Sequence, residues 1–204
     1  TLISTAVILI AGAAAAWNGY QYWQSRQSAQ AAALFDAVDV AAVSADQVRL
    51  EKAFDDLKSK YSGTAQAGQA GSTFATSSEC AVNPKCAQNA LEWVSSPSAD
   101  AGIQAVAQLR LSSLLMAQKN YDEALKRLSG DFSPEFSAVV ADRKGDILLM
   151  LDRRQEAVSE YTKAYKNFDS SVEYRRLVEI KLNALGISPQ AAITAASATS
   201  EEAK

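Results

Sequence analysis

Few side chains in this sequence could carry out chemistry. The chain contains no histidine, which excludes Ser-His-Asp catalysis, Cys-His catalysis and the usual histidine metal sites. It also contains no glycine-rich phosphate loop, no GxSxG elbow and no SxxK pair. An enzyme built from this chain would have to rely on carboxylates, lysines or serines alone. We therefore expect a protein that is not an enzyme and that needs no metal or cofactor.

The two cysteines, Cys80 and Cys86, lie close together in the stretch ECAVNPKC. A cysteine pair without histidine makes a poor zinc site, and the spacing is not CxxC. In an oxidising compartment the pair would form a disulfide that closes a small loop, with a contribution to stability of about 2 kcal/mol. In a reducing compartment the two residues would be incidental thiols. The compartment therefore decides between the two interpretations.

The N-terminal segment is apolar and uncharged. Residues 1–25 carry no charge, and Arg26 is the first charged residue. As a helix this segment would be about 37 Å long, against a hydrocarbon core of about 30 Å. Trp17, Tyr20 and Trp23 recur every three residues near its end, as in the aromatic belt at the interface of a membrane. The sequence predicts a transmembrane anchor helix over 1–25, and a cleaved signal peptide or a buried core helix are the alternatives.

The composition is typical of an all-helical protein, with four prolines and nine glycines in the whole chain. The net charge of −3, with both signs mixed, does not indicate binding to nucleic acid. Apolar residues at helical spacing, with capping residues such as Asp46, predict a first group of helices. These helices are expected over 29–43, 46–61, 64–78 and 85–94, and Pro97 closes the group.

Two later stretches, QLRLSSLLMAQKNYDEALKRL and DRKGDILLMLDRRQEAVSEYTKAY, share a plan of apolar helix, turn and second helix. Ala124 and Ala157 hold the same place in the two stretches, 33 residues apart. Leu128 and Tyr161 repeat that offset. A period close to 34 residues with two helices per period is typical of tetratricopeptide repeats. The alanines would let paired helices approach closely, and Gly145 would permit a further close contact.

The sequence thus predicts an all-α fold in three parts. An N-terminal transmembrane helix over 1–25 is followed, over 26–186, by a tetratricopeptide-like stack of helical hairpins. A last helix over 171–186, with its charges on one side, is expected to cap the stack. Residues 187–204 are small, polar and low in complexity, and we expect them to be disordered.

A partner-binding surface is expected on the first helices of the two hairpins, which would line the concave face of the stack. Methionines on a partly apolar surface suit partners of low specificity. The alternative is that the same residues form ordinary core between repeats. The expected surface residues are Val106, Leu109, Ser113, Met116, Val139, Asp142, Asp146, Leu149 and Met150.

Charged residues on these helices allow two further interpretations. Arg110 and Arg143 occupy equivalent repeat positions. Arg110 would either lie on a solvated face or pair with Asp142 or Asp146 across the stack. The same two carboxylates could serve a hydrolase, although no catalytic constellation accompanies them.

Four stretches occur in an order that is similar to one family: WNGYQYW, LRLSSLLMAQKNYDEALKRL, FSAVVADRKGDILLMLDRRQEAVSEYTKAY and LVEIKLNAL. On these residues the chain resembles the YfgM-like ancillary subunits of the Sec translocon, with ADRKGDILL as the most specific piece. The likeness covers nearly the whole chain, and the cysteine stretch SSECAVNPKC departs from it.

The resemblance implies a single-pass protein of the bacterial inner membrane, with a cytoplasmic N-terminus and a repeat domain in the periplasm. It implies association with the Sec translocon and with a membrane-anchored periplasmic chaperone, and assistance to unfolded proteins that emerge into the periplasm. The expected function is that of a non-enzymatic, membrane-tethered scaffold. A structural assembly factor of another envelope secretion or pilus complex is the alternative.

Overall fold

The computed structural model describes residues 2–96 and 100–189, with side chains from Ile10 onward. Within these ranges the chain forms ten α-helices and no strand, so the all-α prediction is confirmed. Pro97 and most of the tail predicted to be disordered, residues 190–204, lie outside the described residues. No helix in the described part of the chain is both long and apolar enough to span a membrane. The helices are α1 Leu2–Val43, α2 Gln47–Lys60, α3 Ala65–Phe74, α4 Ser78–Val82, α5 Pro84–Val94, α6 Ala101–Ala117, α7 Tyr121–Arg127, α8 Ser137–Met150, α9 Arg154–Asn167 and α10 Tyr174–Ala184.

The first helix is longer than the sequence predicts. The sequence predicts an anchor over 1–25 and a separate helix over 29–43, whereas α1 is continuous through both. The stretch QSRQSAQ between them contains neither proline nor glycine, so nothing in the local sequence ends the helix there. Ala31, Val38 and Ala41 are buried, and α1 packs against α2 and α3 through its C-terminal half.

Contacts within the chain divide it into two compact units, Thr1–Gln104 and Ala105–Lys204. The predicted single domain over 26–186 is therefore shared between them. The core of the first unit contains an aromatic cluster in which the rings of Phe54 and Phe74 are stacked, with centroids 4.8 Å apart. The ring of Trp93 meets Phe54 edge-on at 5.5 Å. These rings join α2, α3 and α5, because aromatic pairs favour such offset and edge-on geometries.

Helix α2 agrees with the sequence prediction, and the region after it does not. Asp46 caps α2 by accepting a hydrogen bond from the Arg49 backbone N–H at 3.1 Å. The helix predicted over 64–78 ends at Phe74, and a separate short helix, α4, begins at Ser78. The side chain of Ser77 accepts a hydrogen bond from the Cys80 backbone N–H. Serine favours such N-caps over helix interiors, which explains why a new helix begins there.

The cysteine pair connects α4 to α5. The structure joins Cys80 and Cys86 through a disulfide. Pro84 is the first residue of α5, a position that proline favours because its missing N–H is not needed there.

The second unit repeats one turn geometry at the ends of α6, α8 and α10. Lys119, Asp152 and Gly186 each adopt a positive φ, between 58° and 73°. After each of them, a backbone N–H bonds to a carbonyl five residues earlier, which closes the helix in a Schellman-type turn. The three bonds run from Asn120 N to Leu115 O, from Arg153 N to Leu148 O and from Ile187 N to Leu182 O. The end of α10 therefore has the same turn geometry as the ends of α6 and α8.

The burial of the hairpins follows the predicted repeat. Ala124 and Ala157 are both fully buried, and so are Leu128 and Tyr161 at the second pair of equivalent positions. The offset of 33 residues read from the sequence thus corresponds to equivalent places in the core. The core that α8, α9 and α10 share consists of Ala141, Leu148, Ala157, Tyr161, Ala164, Val178 and Leu182.

Candidate partner-binding surface

The predicted surface residues of α6 and α8 differ widely in exposure. Val106 is 37% exposed and Met150 is 56% exposed. Asp142, by contrast, is only 1% exposed, so it does not lie on an open surface. The half-buried members of the set are Leu109, Ser113, Met116, Val139, Asp146 and Leu149.

Asp142 and Asp146 belong to a polar cluster that joins α8, α9 and α10. The Lys181 Nζ atom lies 2.7 Å from Asp142 Oδ1 and 2.7 Å from Asp146 Oδ1. The Tyr174 hydroxyl donates a hydrogen bond to Asp142 Oδ2 at 2.9 Å. The Tyr161 hydroxyl donates to Asp146 Oδ1 at 2.7 Å. We call these five residues the polar cluster.

The polar cluster changes two interpretations of the sequence. Lys181 is a cation that the structure places between the two carboxylates. Because the Asp142 carboxylate is buried and bonded to Lys181 and Tyr174, a substrate has no access to it as an acid or base. Asp142 therefore holds α8 to α10 through its bonds to Tyr174 and Lys181. It belongs neither to an exposed groove nor to a hydrolytic pair.

Both phenols of the polar cluster are hydrogen-bond donors at neutral pH. Burial raises the pKa of Tyr174 to about 12, and the hydrogen bond to the Asp142 carboxylate contributes in the same direction. Burial and the hydrogen bond to Asp146 also raise the pKa of Tyr161. Each neutral phenol donates a hydrogen bond to a carboxylate oxygen, and such additional hydrogen bonds are needed for a buried ion pair to be tolerated.

Gly145 brings α8 and α9 into close contact beside the polar cluster. A Cβ atom at Gly145 would lie only 2.6 Å from Cε1 of Tyr161. The sequence prediction that this glycine permits a close approach is therefore confirmed. The Lys181 Nζ atom lies 5.3 Å from the centroid of the Tyr161 ring, so the ammonium group also interacts with the ring face.

Neither Lys181 nor Tyr174 is among the residues predicted from the sequence, although the position of Lys181 indicates a charge that needs a partner. It lies at the edge of the inner face of α10, three residues after Val178 and next to Leu182, both of which are fully buried. A lysine within an apolar stripe requires an anionic partner, because an unpaired buried charge is costly. No local pattern identifies that partner, since Asp142 is 39 residues away along the chain.

Helix α10 adds apolar surface that lies outside the predicted set. Leu177 is 42% exposed and Ile180 is 56% exposed, while the opposite side of the helix faces the core. Together with Val106 and Met150, they are the exposed aliphatic and methionine side chains that the helices of the second unit offer to a partner.

The aromatic residues of the N-terminal segment are all exposed. Trp17, Tyr20 and Trp23 lie on α1 before its packed half. The Arg26 guanidinium donates a hydrogen bond to the Tyr22 hydroxyl at 2.9 Å. Among the described residues, no group of three or more histidine, cysteine or acidic side chains could hold a metal ion.

Comparison with known proteins identifies the family. A family model described as a tetratricopeptide repeat-like domain matches residues 1–187, which is more than nine-tenths of the chain and includes the uncharged N-terminal segment. The chain belongs to the tetratricopeptide repeat-like family. This assignment agrees with the 33-residue offset and with the hairpin turns at Lys119 and Asp152.

Two curated relatives of this tetratricopeptide repeat-like chain carry the same name, "Ancillary SecYEG translocon subunit". The protein from Neisseria gonorrhoeae (strain ATCC 700825 / FA 1090) is 31% identical over 177 residues, which is 85% of each chain. The protein from Escherichia coli (strain K12) is 28% identical over 190 residues, or 91% of this chain and 88% of the relative. The resemblance to the YfgM-like ancillary subunits is thereby confirmed.

Proposed function

We propose that the chain is a non-enzymatic, membrane-tethered repeat scaffold that associates with the Sec translocon. In this role it works beside a membrane-anchored periplasmic chaperone and assists proteins that emerge into the periplasm. The main support is the shared name of two relatives that match 85% and 91% of this chain. A tetratricopeptide-like stack suits such a role, because stacked repeats present extended surfaces to partner proteins.

The tether is residues 1–25, which carry no charge, and the proposed topology is a single pass through the inner membrane. Trp17, Tyr20 and Trp23 would lie at the membrane interface. The flank that follows supports a periplasmic C-terminal domain, because no lysine or arginine occurs between Arg26 and Arg49 and cytoplasmic flanks are rich in them. The disulfide between the two cysteines of the first unit suits the same oxidising compartment.

Exposed apolar side chains of the second unit form the proposed contact surface for unfolded segments. Val106 and Met150 come from the predicted set, and Leu177 and Ile180 extend it onto α10. Aliphatic and methionine side chains adapt to many sequences, since they impose no directional hydrogen bonds. This surface therefore fits partners of low sequence specificity.

Site-directed photo-crosslinking in intact membranes tests this function. A photoreactive side chain at Met150 should form adducts with subunits of the translocon or with emerging proteins. Lys163 is exposed on α9, outside the proposed surface, and the same probe there serves as the matched control. Adducts with a different secretion or pilus complex would favour an assembly factor, and equal labelling from both positions would contradict a specific surface.

The topology is tested separately. Alkaline phosphatase, which is active only after export, should be active when it is fused after Lys204. A cytoplasmic reporter at the same position should be inactive. The reverse pattern would overturn the periplasmic placement of the repeat domain.

A further inference from the structure

Helix α1 connects the proposed membrane segment to the packed helices of the first unit without a flexible linker. Residues 10–26 are exposed, Gln27 is half-buried, and Ala31 is fully buried by the packing of the first unit. Trp23, the last of the three aromatic residues, is four residues before Gln27, a rise of about 6 Å in a helix. The packed part of the helix therefore begins within about two turns of the proposed membrane interface.

The packed face of α1 is held by several contacts. Ala31, Val38 and Ala41 are buried, and α1 packs against both α2 and α3. The Tyr61 hydroxyl donates a hydrogen bond to the Gln30 Oε1 atom at 3.1 Å. A helix packed against two neighbours cannot rotate about its axis without losing these contacts. The rotation of α1 relative to α2 and α3 is thus fixed.

The exposed part of α1 must follow the same rotation. No proline or glycine occurs between Tyr20 and Val43, and sharp kinks in helices almost always need such residues or a bulge. At about 100° per residue, Trp17, Tyr20 and Trp23 all lie within about 60° of the direction of Val38. The aromatic residues therefore occupy the face of α1 that, further along, contacts α2 and α3.

We propose that α1 holds the packed helices of the first unit in a fixed rotational register relative to the membrane segment. One face of the membrane segment and the packed helices that follow it then contact the same membrane-embedded translocon subunit simultaneously. This inference rests on the proposed association with the translocon. A rigid connection favours such a two-part contact, because the orientation of the second contact is set before binding and its ordering cost is reduced.

Alanine insertions between Ser25 and Arg26 test the register in the full-length protein. Two inserted residues rotate the membrane segment by about 200°, and five rotate it by about 140° beyond a full turn. Four and seven inserted residues leave it within about 40° of its original direction while they lengthen the helix by about 6 and 10 Å. Insertions at this junction leave the packed face of α1 intact.

The readout is photo-crosslinking to an integral membrane subunit of the translocon. One photoreactive residue replaces Tyr20 in the membrane segment, and another replaces Val48, which is exposed on α2. We expect that insertions of four and seven alanines keep at least half of the Val48 crosslinking yield. Insertions of two and five should reduce it by about tenfold. A four-residue Gly-Ser insertion has the same length as the four alanines but is flexible, and it should also reduce the yield.

The fixed register would be overturned if the yields did not vary with the inserted length, or if the Gly-Ser insertion crosslinked as well as the wild type. Either result would leave the proposed association with the translocon unaffected. A wild-type protein that crosslinks to no translocon subunit from either position would overturn both. A yield that rises and falls with the helical period supports the register, because helix length alone cannot produce that pattern.

Discussion

Replacement of Lys181 by methionine would remove the cation that Asp142 and Asp146 share. Methionine keeps most of the apolar volume of the lysine stem, so the change is mainly one of charge. Another ion pair in the chain offers a matched control, because Lys60 Nζ and Asp56 Oδ1 are also 2.7 Å apart. The control pair is exposed, with 59% of the Lys60 side chain accessible against 21% for Lys181.

The expected magnitudes differ because the two environments differ. Removal of one partner from a buried ion pair leaves an uncompensated charge, with a typical cost of about 3–5 kcal/mol. Lys181 and Asp146 retain some solvent contact, so we expect the lower end, about 3 kcal/mol, for Lys181→Met. Lys60→Met should change the free energy of unfolding very little, because water screens an exposed pair and solvates the remaining carboxylate.

Urea unfolding of the full chain in detergent measures both variants. With a urea dependence of about 2 kcal/mol per molar for a unit of this size, Lys181→Met should lower the midpoint of the second unit by about 1.5 M. All three tryptophans, Trp17, Trp23 and Trp93, precede residue 105. Tryptophan fluorescence therefore reports the first unit, and circular dichroism at 222 nm reports the helices of both.

A Lys181→Met variant that is no less stable than Lys60→Met would refute the assignment of Lys181 as the partner of Asp142 and Asp146. The assignment would also be refuted if Lys181→Met shifted the tryptophan fluorescence transition, which reports the first unit, and left the unfolding of the second unit unchanged. As a further check, Asp142→Asn should restore part of the stability in the Lys181→Met background, because it removes the buried negative charge that the first substitution leaves unpaired.

Three other variants test the packing, the phenols and the disulfide. Gly145→Ala should destabilise the protein by about 1–2 kcal/mol in urea unfolding, because the new Cβ would meet the ring of Tyr161, whose hydroxyl is bonded to Asp146. Gly130→Ala is the control, because its Cβ would enter open space. The raised pKa of Tyr174, about 12, means that the unfolded chain loses this proton first as pH rises from about 10. The thermal stability of the wild-type protein should therefore fall between pH 10 and 12, and the fall should be smaller in the Tyr174→Phe variant. Joint replacement of Cys80 and Cys86 by serine should lower the free energy of unfolding by about 2 kcal/mol.

Each of these expectations has a contrary result. Equal stability of the Gly145→Ala and Gly130→Ala variants would show that the ring moves aside at no cost. An alkaline loss of stability that is unchanged in Tyr174→Phe would assign that loss to other groups. A wild-type protein that is equally stable with and without a thiol reductant would show that the bond between Cys80 and Cys86 does not constrain the unfolded chain.

Local patterns in the sequence were sufficient to predict much of this fold. Helical spacing of apolar residues predicted the helices, and the capping carboxylate of Asp46 marked the start of α2. The offset between Ala124 and Ala157 predicted two equivalent hairpins, because close packing of paired helices needs a small residue at the same place in each. Gly145 was predicted to allow a close contact for the same steric reason. Each of these signals is a residue type at a fixed place along the chain, and none of them requires knowledge of which helices become neighbours.

Boundaries were harder to predict where two local preferences compete. The change from apolar to polar residues near Arg26 marks the end of the uncharged segment, but such a change does not by itself end a helix, and no proline or glycine occurs there. The structure therefore continues α1 across that point. After Phe74 the opposite occurs, since a serine N-cap at Ser77 starts a new helix inside a stretch that composition alone would leave unbroken.

The environment of the charged residues was decided by the tertiary structure alone. By sequence, Asp142 and Asp146 belong to a helix face that could be open to partners, and Lys181 is one cation among many. Only the tertiary packing of α8, α9 and α10 brings Lys181 within 2.7 Å of both carboxylates, across 35 and 39 residues of chain. The types and spacing of residues determine which elements form and which faces are apolar. Which charges become buried, and with which partner, depends on neighbours that are distant in sequence, because desolvation and pairing act through space.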